Sequence, residues 1–195
     1  ERDFLKRVAL VDVEAPAPAL GVYGARWQPD DLAALLAAVT PGEPVAIYGR
    51  APNWVYAALA VHAAPAEVWL FDARHGWMTP PPLPMGKDEA PHQAGWAHHV
   101  EPRQDYVWVD LIKTSQYLDP NAPQSLPLPA PPPAVGLVLS GPVPYWLLLA
   151  AARQFAPACR WLAVYQPPLG GAVVIRSSDG TFQPGHVVPV PGGGS

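Results

Sequence analysis

The residues of this chain with the clearest potential for chemistry are His62, Asp72 and Arg74. An imidazole titrates near neutral pH, so His62 can act as a general acid or base. The guanidinium of Arg74 suits phosphate oxygens, and the carboxylate of Asp72 can orient a histidine or hold a divalent cation. A structural interpretation stands beside each of these. His62 can be a partly buried helix residue, and Asp72 with Arg74 can form a surface ion pair.

These residues lie in or near a stretch that occurs twice. GRAPNWVYAALAVH begins at Gly49 and GPVPYWLLLAAARQ begins at Gly141, with Gly, Pro and Trp at the same internal spacing and 92 residues between the tryptophans. Pro52 suits the first turn of a helix, and the apolar run after it has helical length. Where the first copy has His62, the second has Gln154. The pattern favours a duplicated turn and helix over chance similarity in a chain rich in Ala, Pro and Leu.

The sequence around both copies alternates between strand and helix patterns. The first half has strand patterns at 8–14, 45–50 and 67–76, and the second half at 106–112, 137–142 and 160–171, followed by AVVIRSS. A helix pattern at 27–39 has a proline-broken counterpart after Leu118, where we expect no helix. QAGWAHHVEP in the first half matches QPGHVVPVP in the second. The order predicts an α/β fold in which two similar halves form a pseudo-two-fold, single-chain dimer.

This organisation sets the predicted domain boundaries. The first repeat covers 5–103 and includes a proline-rich insert at 77–91, the second covers 104–191, and 192–195 form a Gly/Ser tail. Each repeat has the size of a small domain.

Composition and charge narrow the classes of partner. The net charge is −4 and no basic run is present, which argues against a duplex-binding protein. From residue 136 onward, however, the charged residues are three arginines and one aspartate. This positive balance makes a compact anionic ligand compatible with the sequence. The lone Cys159 excludes an internal disulfide and a cysteine-based zinc site. No apolar run has the roughly 20 residues of a membrane helix and no signal peptide is visible, so we expect a cytoplasmic protein.

Four segments carry a family resemblance: GRAPNW, WLFDARHG, YQPPLGGAVVIRSS and QPGHVVPV. Together they resemble the Csx-three family, also called Crn-three, of CRISPR-associated proteins. The resemblance implies nucleotide-sensing CARF-like, that is Rossmann-like, repeats that assemble around cyclic tetra-adenylate, the second messenger of type III systems. It also implies ring nuclease activity, in which manganese or another divalent metal assists cleavage to linear products and the antiviral response is switched off.

The resemblance also implies which residues act. His62, Asp72 and Arg74 are then the catalytic residues, with Asp72 as the metal ligand. The second half has Gln166 and Pro168 at the positions that match Asp72 and Arg74, so we expect it to be catalytically inactive.

The ligand-binding residues are expected on the two duplicated turns. Backbone amides at a helix start can cradle an anion, and aromatic rings can stack on adenine. An alternative interpretation of the tryptophans places them in the core. The ligand-binding set is Gly49, Arg50, Pro52, Trp54, Gly141 and Pro142.

Three functions remain as alternatives, of which the first two are implied by the resemblance and the third by the proline-rich pattern. The first is a single-chain ring nuclease that acts on cyclic tetra-adenylate, as a monomeric pseudo-dimer able to self-associate around its ligand. The second is a catalytically inactive sensor or sponge for the same ligand. The third is an interaction protein that uses the proline-rich insert as a docking loop.

Overall fold

The structure, a computed structural model, describes residues 3–14, 27–86, 95–122, 126–131 and 135–191. It is an α/β protein with three α-helices and two mixed sheets in these residues. The first half contains β1 (Ala9–Asp12), α1 (Asp31–Ala37), β2 (Val45–Tyr48), α2 (Asn53–His62), β3 (Val68–Asp72) and β4 (Gly76–Met78). The second contains β5 (Trp96–Pro102), β6 (Tyr106–Lys113), β7 (Gly136–Ser140), α3 (Tyr145–Phe155), β8 (Trp161–Gln166), β9 (Gly171–Ser177) and β10 (Val187–Pro189).

The two sheets share a four-strand pattern. In the first sheet, β1, β2 and β3 are parallel neighbours and β4 pairs antiparallel with β3. In the second, β6, β7 and β8 are parallel neighbours and β9 pairs antiparallel with β8. The second sheet adds β5 beside β6 and β10 beside β9, both antiparallel. Each sheet therefore has one helix, α2 or α3, between its second and third parallel strands.

Helix α2 lies at the centre of the molecule. All eight residues from Trp54 to Val61 are buried, because the helix packs against α3, against β2 of its own sheet and against β8 and β9 of the other sheet. A helix that is apolar on all sides needs such an environment. One continuous hydrophobic core consequently includes residues of both halves.

Helices α2 and α3 run in the same direction. Tyr56 in α2 stacks on Tyr145 at the start of α3, whereas Arg153 near the end of α3 binds the carbonyl of Ala60 near the end of α2. The amino ends of the two helices are therefore neighbours, and so are their carboxyl ends.

The outer faces of the two sheets differ. Val138, Trp161 and Val174 of the second sheet pack under Phe182 and Val188, which follow β9 in the chain. On the first sheet, Tyr48 and Phe71 remain exposed and form an aromatic cluster with Trp77. Two different surfaces thus lie on the outer sides of the molecule.

Several sequence predictions need correction at the level of elements. The predicted strand at 67–76 contains a turn between β3 and β4, and the predicted strand at 160–171 ends at Gln166, where a 3₁₀ turn begins. QAGWAHHVEP was matched to the last strand of the second half, but β5 pairs with β6, so this strand of the predicted first repeat joins the second sheet. The predicted loss of a helix between β6 and β7 is confirmed for residues 114–122, 126–131 and 135.

None of the helices in the described ranges is long and apolar enough to cross a membrane, and the longest, α3, has 11 residues. The tail at 192–195 and residues 87–91 of the insert lie outside the described residues.

Candidate functional site

The carboxyl ends of parallel strands are the usual binding edge of an α/β sheet. In the first sheet this edge consists of residues 12–14, 48–53 and 72–75, which follow or end β1, β2 and β3, and we call it the first carboxyl edge. The corresponding residues of the second sheet, 110–112, 140–145 and 166, form the second carboxyl edge.

A glycine turn is the centre of the first carboxyl edge. Gly49 has φ 100°, and a Cβ added there would lie 2.7 Å from Cβ of Glu14 and 3.0 Å from a carboxylate oxygen of Asp12. The backbone amide of Arg50 donates to Oε2 of Glu14 at 3.2 Å, and that of Glu14 donates to Oδ1 of Asp12 at 3.0 Å. The chain therefore already places a carboxylate against one amide of the turn that was predicted to cradle an anion.

Two tyrosines hold this turn from below. The hydroxyl of Tyr56 donates to the carbonyl of Gly49, and the hydroxyl of Tyr145 donates to the carbonyl of Ala51 at 2.9 Å. Their rings stack with centroids 4.5 Å apart at an interplanar angle of 14°. Because Tyr145 begins α3, the second half directly fixes the turn of the first.

The electrostatic environment keeps both hydroxyls protonated. Burial raises the pKa of Tyr56 far above its ordinary value, and the neighbouring Tyr145, Glu14 and Asp12 raise it further. Burial also raises the pKa of Tyr145. Both side chains are therefore hydrogen-bond donors throughout the physiological range.

Asp72 and Arg74 lie on the same edge, in the turn between β3 and β4. Oδ1 of Asp72 accepts hydrogen bonds from the backbone amides of Arg74 at 2.7 Å and His75 at 3.2 Å. The carboxylate thus shapes the turn, and the side chain of Arg74 is exposed to solvent. Both residues are available at the surface where the predicted ligand would approach.

His62 lies at the other end of the sheet. It is the last residue of α2, its carbonyl accepts from the amide of Gly42 ahead of β2, and its Nε2 lies 2.7 Å from the carbonyl of Val39. Asp72 lies at the opposite end, because it ends β3, and that strand alone spans roughly 13 Å at about 3.3 Å per residue. The structure does not bring His62 together with Asp72 and Arg74.

Trp54 is not on the surface of the edge either. Its side chain is 1% exposed and meets Trp27 edge to face, with centroids 6.4 Å apart. The indole nitrogen of Trp27 donates to the carbonyl of Val13 at 2.9 Å. Trp54 therefore belongs to the core beneath the edge, as the structural interpretation of the tryptophans predicts.

The second carboxyl edge has fewer polar side chains. Gly141 follows β7 with φ 133°, and a Cβ there would lie 2.0 Å from the carbonyl oxygen of Leu111. Pro142 is exposed and has no amide hydrogen to donate, so the two turns are not equivalent as anion cradles. Gln166 ends β8 where Asp72 ends β3.

The sequence analysis missed two residues of this site. Glu14 comes two residues after β1 and carries no motif, and Tyr145 looks like one more apolar residue of its helix. The pairing of β1 with β2 brings Glu14 to the amide of Arg50, and the packing of α2 against α3 brings Tyr145 to the carbonyl of Ala51.

The residues of the first carboxyl edge do not fit a three-ligand metal site. Asp72 already uses one oxygen in its turn, and no group of three His, Cys, Asp or Glu side chains is gathered anywhere in the part of the chain that the structure describes.

With this geometry in place, comparison with known families adds one finding. Residues 111–189 match the family model described as CRISPR-associated protein (Cas_csx3), which is the Csx-three family. The match covers the second carboxyl edge beyond Asp110, with Gly141, Pro142 and α3, and does not extend to Asp72 or Arg74. No curated protein matches the chain.

Proposed function

We propose that this chain binds cyclic tetra-adenylate of a type III system across its two carboxyl edges, because its residues 111–189 match the model of the Csx-three family of CRISPR-associated proteins. One observation carries the proposal. The hydroxyl of Tyr145, in the matched half, reaches the carbonyl of Ala51 in the other half and joins the edges at the paired amino ends of α2 and α3.

The proposal includes an origin for the two halves. We propose that they are CARF-like repeats related by tandem duplication, arranged as a pseudo-two-fold dimer within a monomeric chain that can self-associate around its ligand. Support comes from the shared order of three parallel strands and one antiparallel strand, and from a left-handed glycine directly after the second parallel strand of each sheet.

The ligand is a ring with one negative charge per phosphate, and the edges offer features that suit it. The amino ends of two parallel helices carry partial positive charge. Arg50 and Arg74 add exposed guanidinium groups, and the ring of Tyr145, which is 37% exposed, can stack on an adenine.

Glu14 opposes this binding. Its carboxylate accepts the amide hydrogen of Arg50, so a phosphate can use that amide only after Glu14 moves away. We therefore expect Glu14→Gln to bind the ring more tightly than the wild type does.

Cleavage is the second candidate function, and the common turn of Asp72 and Arg74 favours it. A ribose 2′-hydroxyl would form a bond to the adjacent phosphorus, the bond from phosphorus to O5′ would break, and a cyclic phosphate and a 5′-hydroxyl would result. Arg74 would neutralise the charge on the phosphorane. His62 takes no part in this version. An edge carboxylate would accept the proton of the 2′-hydroxyl and pass it to the departing O5′.

A cytoplasmic location is part of the proposal. The one cysteine, Cys159, is a buried free thiol whose pKa burial raises to about 11, so it is compatible with a reducing compartment.

Binding and cleavage are tested together with labelled cyclic tetra-adenylate, with and without manganese. Calorimetry should show binding that weakens about tenfold or more in Arg50→Ala and in Arg74→Ala, since each removes charge-assisted hydrogen bonds to phosphate. Arg7→Ala is the control, because Arg7 is exposed ahead of β1 at the opposite edge. Failure of the wild type to bind the ring would contradict both candidates.

Chromatography of the same mixtures separates the candidates. An intact ring after prolonged incubation supports binding alone. Linear products that vanish in Asp72→Asn and Arg74→Ala but persist in His62→Gln support cleavage at the first carboxyl edge. Loss of cleavage in His62→Gln alone would contradict the proposed site.

A further inference from the structure

A separate cavity of about 690 Å³ lies on the outer face of the second sheet, at the amino ends of β6 and β8. Its volume falls in the range of small-molecule sites. We infer that this cavity binds an uncharged flat heterocycle that has hydrogen-bond acceptors, such as a purine nucleoside. Its principal lining residues are Arg103, Tyr106, Arg160, Trp161, Phe182 and Val188.

Three aromatic rings build the floor and walls of the cavity. Trp161 forms the floor, and it lies so close to Gly136 that a Cβ there would be 2.0 Å from the indole. The ring of Phe182 meets the indole edge to face at 5.3 Å, and that of Tyr106 lies 6.0 Å away. Phe182 is itself stacked on His186 with centroids 4.7 Å apart. Rings held in this way suit stacking with a planar ligand.

A buried hydrogen-bond donor accompanies the rings. Nε of Arg103 is buried and has no partner in the described part of the chain, whereas another nitrogen of the same guanidinium binds Glu101 at 2.9 Å. Buried donors are almost always satisfied, and Arg103 lines the cavity, so a turn of its side chain toward the cavity would bring Nε to an acceptor on a bound ligand. A ring nitrogen or carbonyl of a heterocycle is such an acceptor.

The charges around the cavity select against anions. Arg160 is paired with Asp179, as Arg103 is with Glu101, and Asp105 also lines the cavity. Three carboxylates therefore surround two guanidinium groups. A phosphate would meet arginines that are already neutralised, so the nucleoside should bind better than the corresponding nucleotide.

The inference does not rest on the proposed function. The cavity is at the amino ends of the parallel strands of the second sheet, and the carboxyl edges are at the opposite ends. Loss of cyclic tetra-adenylate binding would leave it intact.

Calorimetry on the full chain tests the inference with adenosine and adenosine 5′-monophosphate as probes. We expect adenosine to bind, and the monophosphate to bind at least threefold more weakly. Arg103→Met removes the buried donor and should weaken adenosine binding about tenfold, the effect of one buried hydrogen bond. Glu101→Gln is the matched control, because it removes the ion pair but keeps Nε, and it should change the affinity less than twofold.

Phe182→Leu should weaken adenosine binding about fivefold or more, and Arg50→Ala should leave it unchanged. Thermal unfolding checks that each variant is folded. An NMR titration of the wild type provides a second measurement. The indole N–H resonance of Trp161, which is assigned by its loss in Trp161→Phe, should shift when adenosine is added to the wild type. The inference would be overturned if adenosine did not bind or if the monophosphate bound more tightly than adenosine. It would also be overturned if Arg50→Ala weakened adenosine binding and Phe182→Leu did not.

Discussion

His62 ends α2, Gln154 lies one residue before the end of α3, and the two side chains make the same kind of contact. Nε2 of His62 lies 2.7 Å from the carbonyl of Val39, and the amide of Gln154 donates to the carbonyl of Leu83. A carbonyl oxygen only accepts, so Nε2 of His62 carries the proton. The two halves differ at this position in side chain but share a task, which is to tie the end of a central helix to another segment.

Other positions show a real division of work between the halves. The guanidinium of Arg153 in α3 donates to the carbonyls of Ala60, Pro65 and Ala66, at or just after the end of α2. The corresponding residue of α2, 92 positions earlier, is Val61. Its apolar side chain cannot donate equivalent hydrogen bonds to the end of α3. Together with Tyr145 at the other end, Arg153 shows that the second half supports both ends of α2.

The largest difference between the halves should appear at their paired glycines. Gly141→Ala would place Cβ 2.0 Å from the backbone oxygen of Leu111, where neither atom can move easily. We expect a loss of about 4 kcal/mol or more in the free energy of unfolding, measured by urea denaturation. Gly49→Ala meets Cβ and the backbone nitrogen of Glu14, at 2.7 and 2.9 Å, and should cost about 1–3 kcal/mol, because Glu14 lies beyond the end of β1 and its backbone can shift.

Gly170→Ala gives the reference cost of a Cβ at positive φ without a steric contact. Gly170 has φ 58° and nothing within 4 Å of an added Cβ, so its cost should be only about 1 kcal/mol. Equal losses at Gly49 and Gly141 would show that the two turns are supported in the same way and would remove this distinction between the halves.

The next effect in size should be at Arg153. Arg153→Met keeps much of the apolar stem but removes three hydrogen bonds to the carboxyl end of α2, and we expect a loss of about 2–3 kcal/mol by urea denaturation. Arg176→Met is the comparison within the second half, since Arg176 donates to the carbonyl of Ala156 at the end of α3. A smaller loss for Arg153→Met than for Arg176→Met would contradict support of the first half by the second.

The order of elements was predictable from the sequence because it depends on local patterns. The spacing of Gly, Pro and Trp locates α2 and α3, and the apolar runs locate β2 and β7, since buried parallel strands show continuous apolar sequence. The family resemblance is confirmed for the range 111–189. The place of β5 was not predictable, because an alternating strand can pair with either sheet, and its sequence does not say which.

The candidate site was predictable only in part. Asp72 and Arg74 stand at the end of a strand pattern, and strand ends of a parallel sheet meet at one edge, so their position follows from topology. His62 ends a helix of ten residues, and the side of the sheet that it reaches depends on the helix length. Contacts such as those of Tyr145 and Arg153 depend on how the helices pack across 93 or more residues of sequence, which no local pattern encodes.

A smaller effect is expected at the ends of the two helices. His62→Gln keeps a donor and should change the free energy of unfolding by less than about 0.5 kcal/mol, whereas His62→Ala should cost about 1 kcal/mol. Gln154→Ala should cost about as much as His62→Ala. A loss in His62→Gln as large as that in His62→Ala would show that the imidazole does more than donate to Val39.

The smallest effect should appear as a dependence of stability on pH at the tyrosine pair that joins the halves. The pKa of Tyr56 is raised in the folded state by burial and by nearby Tyr145, Glu14 and Asp12, so ionisation favours the unfolded chain. The contribution of Tyr56 to the free energy of unfolding is fully present below the pKa of the unfolded state, about 10, and decreases as the pH rises above it. Urea denaturation between pH 9 and 11 should show a shallower decrease in Tyr56→Phe than in the wild type. Tyr117→Phe is the control, because Tyr117 is exposed, and it should leave the decrease of stability with pH unchanged. If Tyr56→Phe also left that decrease unchanged, the hydroxyl beneath the Gly49 turn would not be held in the way described.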